Sequence, residues 1–411
     1  MATRDLIEHS TKRRSLLKVL LAGAALPAAA LRPGRSGQAP ANRIVKDGMA
    51  FRRLGRTGLF VSEIALGGSP LPDWDLLLRL VERGVNYIDT SHTYDNGNSE
   101  RMIGRLFKAV GRDKVYVCTK FHVEGHWSER SIVASVEGSL RRLGTDVIDV
   151  LSIHGAERAE DLTDEKLLAA FDALKAQGKF RFRGLSCHAN HEAVIAAAVD
   201  CGLYDMVQLG YNVFDIQETD REVRTYADYA GESGIRALID RARAGDVGVI
   251  AMKVLKVGGR RQDLKAAQAG GVSLFRAMLK WALSNEKLAA VVTEILNYEQ
   301  MDEDLGAVDA PLTAAERRAL FAHVAAFKGR YCHMCGTCRA ACPAGIRTTD
   351  ILRALAYAES YGKMERARRE YVSATAIGTP LPCRDCGSCE RACPFGVPVR
   401  EEMRRAAATL G

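Results

Sequence analysis

The sequence lacks two features that would assign it to a broad class. It has no apolar run that predicts repeated membrane crossing, and its basic residues form no cluster interleaved with aromatic side chains. The first absence excludes a multi-span membrane protein. The second argues against nucleic-acid binding, although the net charge is +8 and aromatic residues make up 7% of the chain. The rest of the composition, 47% apolar and 26% charged over 411 residues, is that of a globular chain with length for two or three domains.

The first thirty residues predict an export signal. Residues 12–18 read KRRSLLK, a short apolar stretch follows, and Ala28-Ala29-Ala30 is typical of a cleavage site. RRSLLK resembles a twin-arginine signal, which carries folded proteins across the bacterial inner membrane. We therefore expect a cleaved signal peptide over residues 1–30, a periplasmic protein, and a linker over residues 31–50. The alternative is an uncleaved inner-membrane anchor, but the stretch contains Pro27 and is shorter than the roughly 20 residues of a spanning helix, so no stable span is expected.

Between residues 51 and 310, short runs rich in β-branched residues alternate with amphipathic helical patterns. The runs are VSEIALGG, VNYIDTS, VYVCTKF, VIDVLSIHG, FRGLSCH, DMVQLGYN, GVIAMKVL and LAAVVTEI. This alternation predicts a parallel sheet, and eight units predict a closed (β/α)8 barrel, although the pattern alone leaves a doubly wound sheet open. The segment FRRLGRTGLF could form a hairpin across the bottom of the barrel. Cys118 should face the same side as Lys120 and is predicted to pack inside the barrel.

Four residues with complementary chemistry follow the predicted strands. Asp89 ends the run VNYID, Tyr94 follows it in a polar segment, Lys120 lies at the end of VYVCTK, and His154 comes directly after VIDVLSI. Because the C-terminal ends of parallel strands open onto one face, we expect these side chains to converge. An unperturbed tyrosine phenol has a pKa of about 10 and is a poor acid at neutral pH. A nearby ammonium favours the phenolate and makes the proton easier to donate.

These four residues, in this order, resemble the catalytic tetrad of the aldo-keto reductase family, and the similarity runs from about Phe51 to Val308. The resemblance implies a (β/α)8 fold and a small carbonyl or alcohol substrate that exchanges hydride with NAD(P)H. It also implies that Tyr94 protonates the carbonyl oxygen, that Lys120 and Asp89 tune Tyr94, and that His154 orients the substrate.

The resemblance further implies residues that bind the cofactor. Ser186 and Gln208 match positions that hold the nicotinamide carboxamide, and Glu303 resembles an acid on the adenine side. For Ser186 and Gln208 the alternative is a polar side chain that satisfies a local backbone group. Glu294 departs from the pattern, because many members carry a cation near this position and a carboxylate would repel a 2′-phosphate. The choice between NAD and NADP therefore stays open.

The C-terminal region repeats one cysteine pattern. CHMCGTCRAACP and CRDCGSCERACP both follow C-x2-C-x2-C-x3-C-P, the spacing of ferredoxins with two 4Fe-4S clusters. Because the fourth cysteine characteristically reaches the other cluster, the predicted ligand sets are Cys332, Cys335, Cys338 and Cys393 for one and Cys342, Cys383, Cys386 and Cys389 for the other. Disulfides or zinc sites are the alternatives, but neither predicts the full pattern twice. The intervening helical pattern resembles an α-helical ferredoxin domain over residues 332–411, joined to the barrel by a helix within residues 311–331.

Together, these features predict an exported iron–sulfur oxidoreductase whose clusters exchange electrons with a redox protein partner. A nicotinamide gives up two electrons as hydride whereas each cubane carries one, and the sequence shows no convincing flavin motif, so a partner could supply a mediator. Two alternatives stay open. The chain could be an electron-transfer or docking subunit with a catalytically silent barrel, or its clusters could only stabilise the C-terminal helices.

Overall fold

The structure, a computed structural model, describes residues 42–123, 127–215, 234–256, 271–375 and 383–411. The predicted export signal, residues 1–30, lies outside the described residues. The described elements all belong to one compact unit, Asn42–Gly411. Within the described part of the chain, no helix is both long enough and apolar enough to span a bilayer.

A small antiparallel sheet begins the described chain. Its strands, in spatial order, are β1 (Arg43–Lys46), β2 (Met49–Arg53) and β3 (Phe60–Ser62). Strand β1 lies inside the segment predicted to be a linker, residues 31–50. It is held there because its backbone pairs with β2 and the Arg43 guanidinium lies 2.5 Å from the buried carboxylate of Glu63.

The turn between β2 and β3 closes the bottom of the barrel. Leu54, Leu59 and Val61 belong to the hydrophobic cluster that fills the barrel interior. Gly55 has φ +49°, and a Cβ at this position would lie 2.2 Å from the backbone nitrogen of Gly248, so only glycine fits this close approach. The predicted hairpin across the barrel bottom is therefore confirmed.

Eight parallel strands form the barrel, in the order β10-β11-β4-β5-β6-β7-β8-β9. They are β4 (Ile64–Gly67), β5 (Tyr87–Asp89), β6 (Tyr116–Phe121), β7 (Ile148–Ile153), β8 (Phe180–Cys187), β9 (Met206–Gly210), β10 (Gly248–Met252) and β11 (Ala290–Thr293). Strand β11 pairs with β4, which closes the sheet and excludes the doubly wound alternative. The predicted (β/α)8 fold is confirmed, and Cys118 packs in the barrel interior as predicted.

Helices surround the barrel and cover its outer surface. They are α1 (Trp74–Glu82), α2 (Asn98–Val110), α3 (Glu129–Leu143), α4 (Glu165–Ala176), α5 (His191–Asp200), α6 (Gly234–Ala244), α7 (Leu274–Leu283) and α8 (Tyr298–Leu305). The N-cap residues of α1, α3 and α4 are Asp73, Ser128 and Asp164. Their side chains accept hydrogen bonds from N–H groups in the first turn and so stabilise the start of each helix.

The C-terminal region is helical, as predicted. Its elements are α9 (Ala314–Phe327), α10 (Thr337–Ala340), α11 (Thr348–Glu359), α12 (Met364–Thr375), α13 (Ser388–Arg391) and α14 (Val399–Leu410). Buried apolar side chains of α11 and α14, including Ile351, Leu355 and Met403, form a small core of their own. One cysteine-rich segment precedes α11 and the other precedes α14, and the two segments contact each other through α10 and α13.

Candidate functional site

The C-terminal ends of β5, β6 and β7 bring the four predicted catalytic residues together. Asp89 ends β5, Lys120 lies near the end of β6, and His154 directly follows β7. Parallel pairing keeps these ends level, since Asp89 pairs with Cys118 and Lys120 pairs with Ser152. Tyr94 lies in the segment after β5, and its ring approaches both Lys120 and His154.

Asp89 and Lys120 form a buried ion pair. The Lys120 Nζ lies 2.6 Å from Asp89 Oδ1, and the two side chains are 5% and 1% exposed for Asp89 and Lys120. Lys120 also donates a hydrogen bond to the Thr90 carbonyl oxygen at 2.8 Å. Burial alone would lower the pKa of Lys120, but the negative charge of Asp89 reverses this and raises it above the usual value. Lys120 is therefore an ammonium at neutral pH.

Tyr94 lies over this ion pair. Its ring centroid is 5.2 Å from Lys120 Nζ. Burial raises the pKa of the Tyr94 phenol, while the Lys120 ammonium acts in the opposite direction. The direction of the lysine effect on the pKa of Tyr94 agrees with the sequence prediction, but the effect of burial is larger. The phenol is therefore protonated at neutral pH and available as a proton donor.

His154 is oriented by Ser91. Its Nδ1 lies 3.2 Å from Ser91 Oγ, and Ser91 Oγ accepts a hydrogen bond from the Thr93 N–H at 3.3 Å. Burial, followed by the Lys120 charge, holds the pKa of His154 well below its usual value, so the ring is neutral. If Ser91 donates its hydroxyl proton to Nδ1, the neutral ring carries its own proton on Nε2, where it can donate to a substrate oxygen.

Three further histidines surround this site and were missed by the sequence analysis. The His122 ring lies 4.3 Å from that of His154, His92 lies 5.6 Å from His122, and His188 lies 6.1 Å from His154, measured between ring centroids. Positions 122 and 188 are two residues beyond Lys120 and Ser186. The period-two rule for strands, which the sequence analysis applied to Cys118, could have placed both on the same face.

The residues predicted to hold nicotinamide lie at the same end of the barrel. Ser186 Oγ accepts a hydrogen bond from the Gly155 N–H at 3.0 Å. Gln208 Nε2 donates to Asp89 Oδ2 at 3.3 Å, while Gln208 Oε1 is buried without a hydrogen-bond partner. An unpaired buried acceptor is costly, and it suits a ligand with an N–H donor, such as a carboxamide. Glu303, on α8, accepts a hydrogen bond from Ser273 at the start of α7.

The C-terminal domain covers the end of the barrel that carries the tetrad. Glu294, which follows β11, forms an ion pair with Lys363 at the start of α12. Lys363 also donates to the Ser69 carbonyl oxygen at 3.3 Å, and Arg339 lies 2.8 Å from Glu157, which follows β7. This explains the departure noted at Glu294, whose carboxylate has a cationic partner within the same chain that a barrel-only comparison could not reveal.

The eight cysteines of the repeated pattern fall into two groups. Each group surrounds its own cavity: Cys332, Cys335, Cys338 and Cys393 line one. The other is lined by Cys342, Cys383, Cys386 and Cys389. We call the first set the barrel-side cysteines, because Tyr331 and His333 next to Cys332 contact the barrel, and the second set the outer cysteines. The structure thus brings together the same two sets that the sequence spacing predicts.

The chemistry of each cysteine group suits a cluster better than a single ion. All eleven cysteines of the chain are described, and all have free thiols. Among the described residues, no three His, Cys, Asp or Glu side chains lie close enough together to hold one metal ion. A 4Fe-4S cubane instead keeps its four thiolates apart, one on each iron corner, so four cysteines around a cavity fit it. Zinc would require a tighter tetrahedral set.

Comparisons with known proteins agree with this architecture. Residues 73–263 match the profile of the Aldo/keto reductase family, and residues 326–394 match that of a 4Fe-4S dicluster domain. The chain is 28% identical to Aldo-keto reductase AMT2 of Alternaria alternata over 68% of this chain and 94% of that protein. It is 27% identical to L-galactose dehydrogenase of Arabidopsis thaliana, over 63% of this chain and 88% of that protein.

Among solved structures, the fold is similar to that of aldo-keto reductase AKR11C1 from Bacillus halodurans. The TM-score is 0.52, with 24% identity over 66% of this chain and 95% of that chain. This likeness concerns the barrel and agrees with the observed closed eight-stranded sheet. The protein is thus an oxidoreductase whose barrel is similar to the Aldo/keto reductase family over residues 73–263 and whose C-terminal region is similar to a 4Fe-4S dicluster domain over residues 326–394.

Proposed function

We propose that the protein reduces a small carbonyl compound, or oxidises the corresponding alcohol, with Tyr94 as the general acid. One observation carries this proposal. The buried Asp89–Lys120 pair, with its atoms 2.6 Å apart, lies beneath the Tyr94 ring at the open end of the barrel strands. A buried cation beside a phenol favours the phenolate that remains after proton transfer, and it costs little reorganisation because Asp89 already holds it in place.

Each polar group of the site has a separate role in this reaction. Tyr94 donates its hydroxyl proton to the carbonyl oxygen as charge develops there. Lys120 stabilises the resulting phenolate, and Asp89 keeps Lys120 charged and positioned. His154 donates an N–H hydrogen bond to the same oxygen and so orients the carbonyl, which a neutral ring can do without repelling Lys120.

Nicotinamide fits the unpaired Gln208 Oε1, with Ser186 beside it at the end of β8. When bound, the nicotinamide would supply hydride to the carbonyl carbon, which together with the Tyr94 proton completes a two-electron reduction. Glu303 would accept hydrogen bonds from the adenine side. We propose NAD(P)H as the cofactor and leave the choice of phosphate open, because Glu294 is engaged with Lys363.

We further propose two 4Fe-4S clusters, one held by the barrel-side cysteines and one by the outer cysteines. The grouping around two cavities and the repeated C-x2-C-x2-C-x3-C-P spacing support this assignment. The clusters would link the protein to a redox partner. Cys383 and Cys386 are exposed, which leaves the outer site accessible to such a partner.

The test of the catalytic assignment is Tyr94→Phe, with Tyr298→Phe as the matched control. Tyr298 lies on α8 and is 51% exposed, so the control removes a hydroxyl of the same kind from the surface. We expect Tyr94→Phe to lower kcat for carbonyl reduction by about 10²–10⁴-fold, the usual contribution of a general acid, without weakening nucleotide binding. Carbonyl reduction by Tyr94→Phe at the parent rate would refute the assignment.

A second experiment separates this function from an electron-transfer subunit with a silent barrel. The full chain is purified without oxygen, and bound nucleotide, iron and sulfide are measured. Nicotinamide together with about eight irons, the content of two cubanes, would support the proposed enzyme. Iron without nucleotide, and no binding of added NADH or NADPH, would favour the silent-barrel alternative.

We also propose that the protein reaches the bacterial periplasm by the twin-arginine route. The proposal rests on KRRSLLK and the short apolar stretch that follows it. It also fits the cargo, since iron–sulfur clusters are assembled before export and this route carries folded proteins. Replacing Arg13 and Arg14 together by lysine should leave the protein in the cytoplasm. Export that survived this change would contradict the proposal.

A further inference from the structure

Among the described residues of the barrel, four hold the segment that carries Cys332. The Tyr331 hydroxyl pairs with the Asn212 side chain, and the Tyr331 ring stacks on Phe214 with centroids 4.1 Å apart. His333 Nδ1 lies 3.5 Å from Asp215 Oδ1. These barrel residues all follow β9, and the fourth contact comes from the segment after β10.

That fourth contact is made by Lys256. Its Nζ donates a hydrogen bond to the Cys332 carbonyl oxygen at 3.1 Å and lies 4.4 Å from the centroid of the Tyr331 ring. Lys256 is only 6% exposed. Neither a carbonyl oxygen nor an aromatic ring carries a formal negative charge, so these two contacts leave the lysine charge uncancelled. Burial lowers the pKa of Lys256, while the negative charges of Cys332 and Asp215 act in the opposite direction and favour the ammonium.

The outer cysteines offer a matched contact with the opposite exposure. Arg391 Nη1 donates a hydrogen bond to the Cys386 carbonyl oxygen, also at 3.1 Å, but Arg391 is exposed. Water and salt screen an exposed charge strongly, whereas a buried charge acts through a medium of lower dielectric. The same contact should therefore affect the two sites unequally.

We propose that Lys256 raises the reduction potential of the cluster held by the barrel-side cysteines above that of the cluster held by the outer cysteines. Reduction adds one electron, and therefore one negative charge, to a cluster, and a buried ammonium beside a ligand stabilises that added charge. Net charge, hydrogen bonds and solvent exposure are the protein's means of setting such potentials. Electrons that enter the outer cluster would consequently settle on the cluster next to the barrel.

The test is a redox titration, followed by electron paramagnetic resonance, of the anaerobically purified full chain. Lys256→Gln keeps a hydrogen-bond donor but removes the charge, Lys256→Arg keeps the charge, and Arg391→Gln is the matched control. We expect Lys256→Gln to lower one midpoint potential and leave the other unchanged. Lys256→Arg should restore most of the loss, and Arg391→Gln should shift its cluster by less. Equal shifts of both midpoints in Lys256→Gln, no shift at all, or a larger shift in Arg391→Gln would overturn the proposal.

If Lys256→Gln binds less iron than the parent chain, the midpoint potentials of the parent chain provide the test. Two midpoints that stay apart when the salt concentration is raised would support a buried charge as the cause, since salt screens buried charges little. Coincident midpoints would overturn it. The inference rests on the proposed function for its two clusters but not for its barrel chemistry. Tyr94→Phe should therefore lower kcat for carbonyl reduction by about 10²–10⁴-fold with unchanged midpoints, whereas Lys256→Gln should move a midpoint whether or not the barrel is active.

Discussion

Replacing Lys120 by methionine should destabilise the barrel strongly. The substitution removes the ammonium that lies 2.6 Å from Asp89 Oδ1. It leaves a buried carboxylate whose remaining polar contact among the described side chains is Gln208 Nε2 at 3.3 Å. Removal of one partner from a buried ion pair typically costs about 3–5 kcal/mol, because the other charge stays buried without compensation. With a urea dependence near the upper end of the usual range, about 3 kcal/mol per molar, the unfolding midpoint should fall by about 1–2 M.

The assay is urea unfolding followed by circular dichroism, with two companion variants. Asp89→Asn/Lys120→Met removes both charges and should recover a large part of the lost stability, since no ion is left unpaired. Lys114→Met is the surface control: Lys114 and Asp113 lie 3.6 Å apart and are 62% and 79% exposed, so its loss should cost less than about 1 kcal/mol. A Lys120→Met midpoint equal to that of Lys114→Met, or a double variant less stable than Lys120→Met alone, would refute this reasoning.

Two further predictions concern domain docking and acid stability. Lys363→Glu should loosen the contact of the C-terminal domain with the barrel, because it places a second carboxylate beside Glu294, and Lys363→Glu/Glu294→Lys should restore that contact. Limited proteolysis measures both effects. Equal cleavage of the parent and of Lys363→Glu would contradict the docking role of this pair. Burial lowers the pKa of His122, His191 and His323 to about 4 each. As the pH falls, these histidines bind protons in the unfolded chain, near about pH 6.5, before they do so in the folded chain. Their contribution to the free energy of unfolding should therefore be complete above about pH 6.5 and be lost towards about pH 4. Urea midpoints at about pH 7.5 and about pH 5 would test this.

The alternation of strands and helices could be predicted from sequence because its signals are local, whereas closure into a barrel was predicted from the family resemblance. Each strand is a short apolar run, and each helix is amphipathic, so the period of the pattern changes at every boundary. Three successive predicted strands are followed by Asp89 and Tyr94, by Lys120 and by His154, and the parallel topology then places these residues on one face of the barrel. The three close cysteines of each group were predictable for the same reason, and the exchange of the fourth cysteines was predicted from the ferredoxin spacing.

What could not be predicted depends on contacts between distant segments. The ion pair of Glu294 with Lys363 joins residues from two domains, and the contact of Lys256 with Cys332 joins a barrel segment to the cluster domain. The effect of burial on the pKa of Tyr94 was missed because it depends on how deeply the phenol is enclosed, which a sequence does not record. Strand β1 was predicted as linker because its partner for Arg43, Glu63, comes twenty residues later in the chain.

The exchange of fourth cysteines between the two groups makes the C-terminal domain indivisible. The first repeat supplies three cysteines to one cavity and Cys342 to the other. The second repeat supplies three cysteines to that other cavity and Cys393 to the first. A chain truncated between the repeats would lack a complete set at either cavity. Neither half would hold a complete set of four cysteines by itself, so any shortened or chimeric form must carry both repeats.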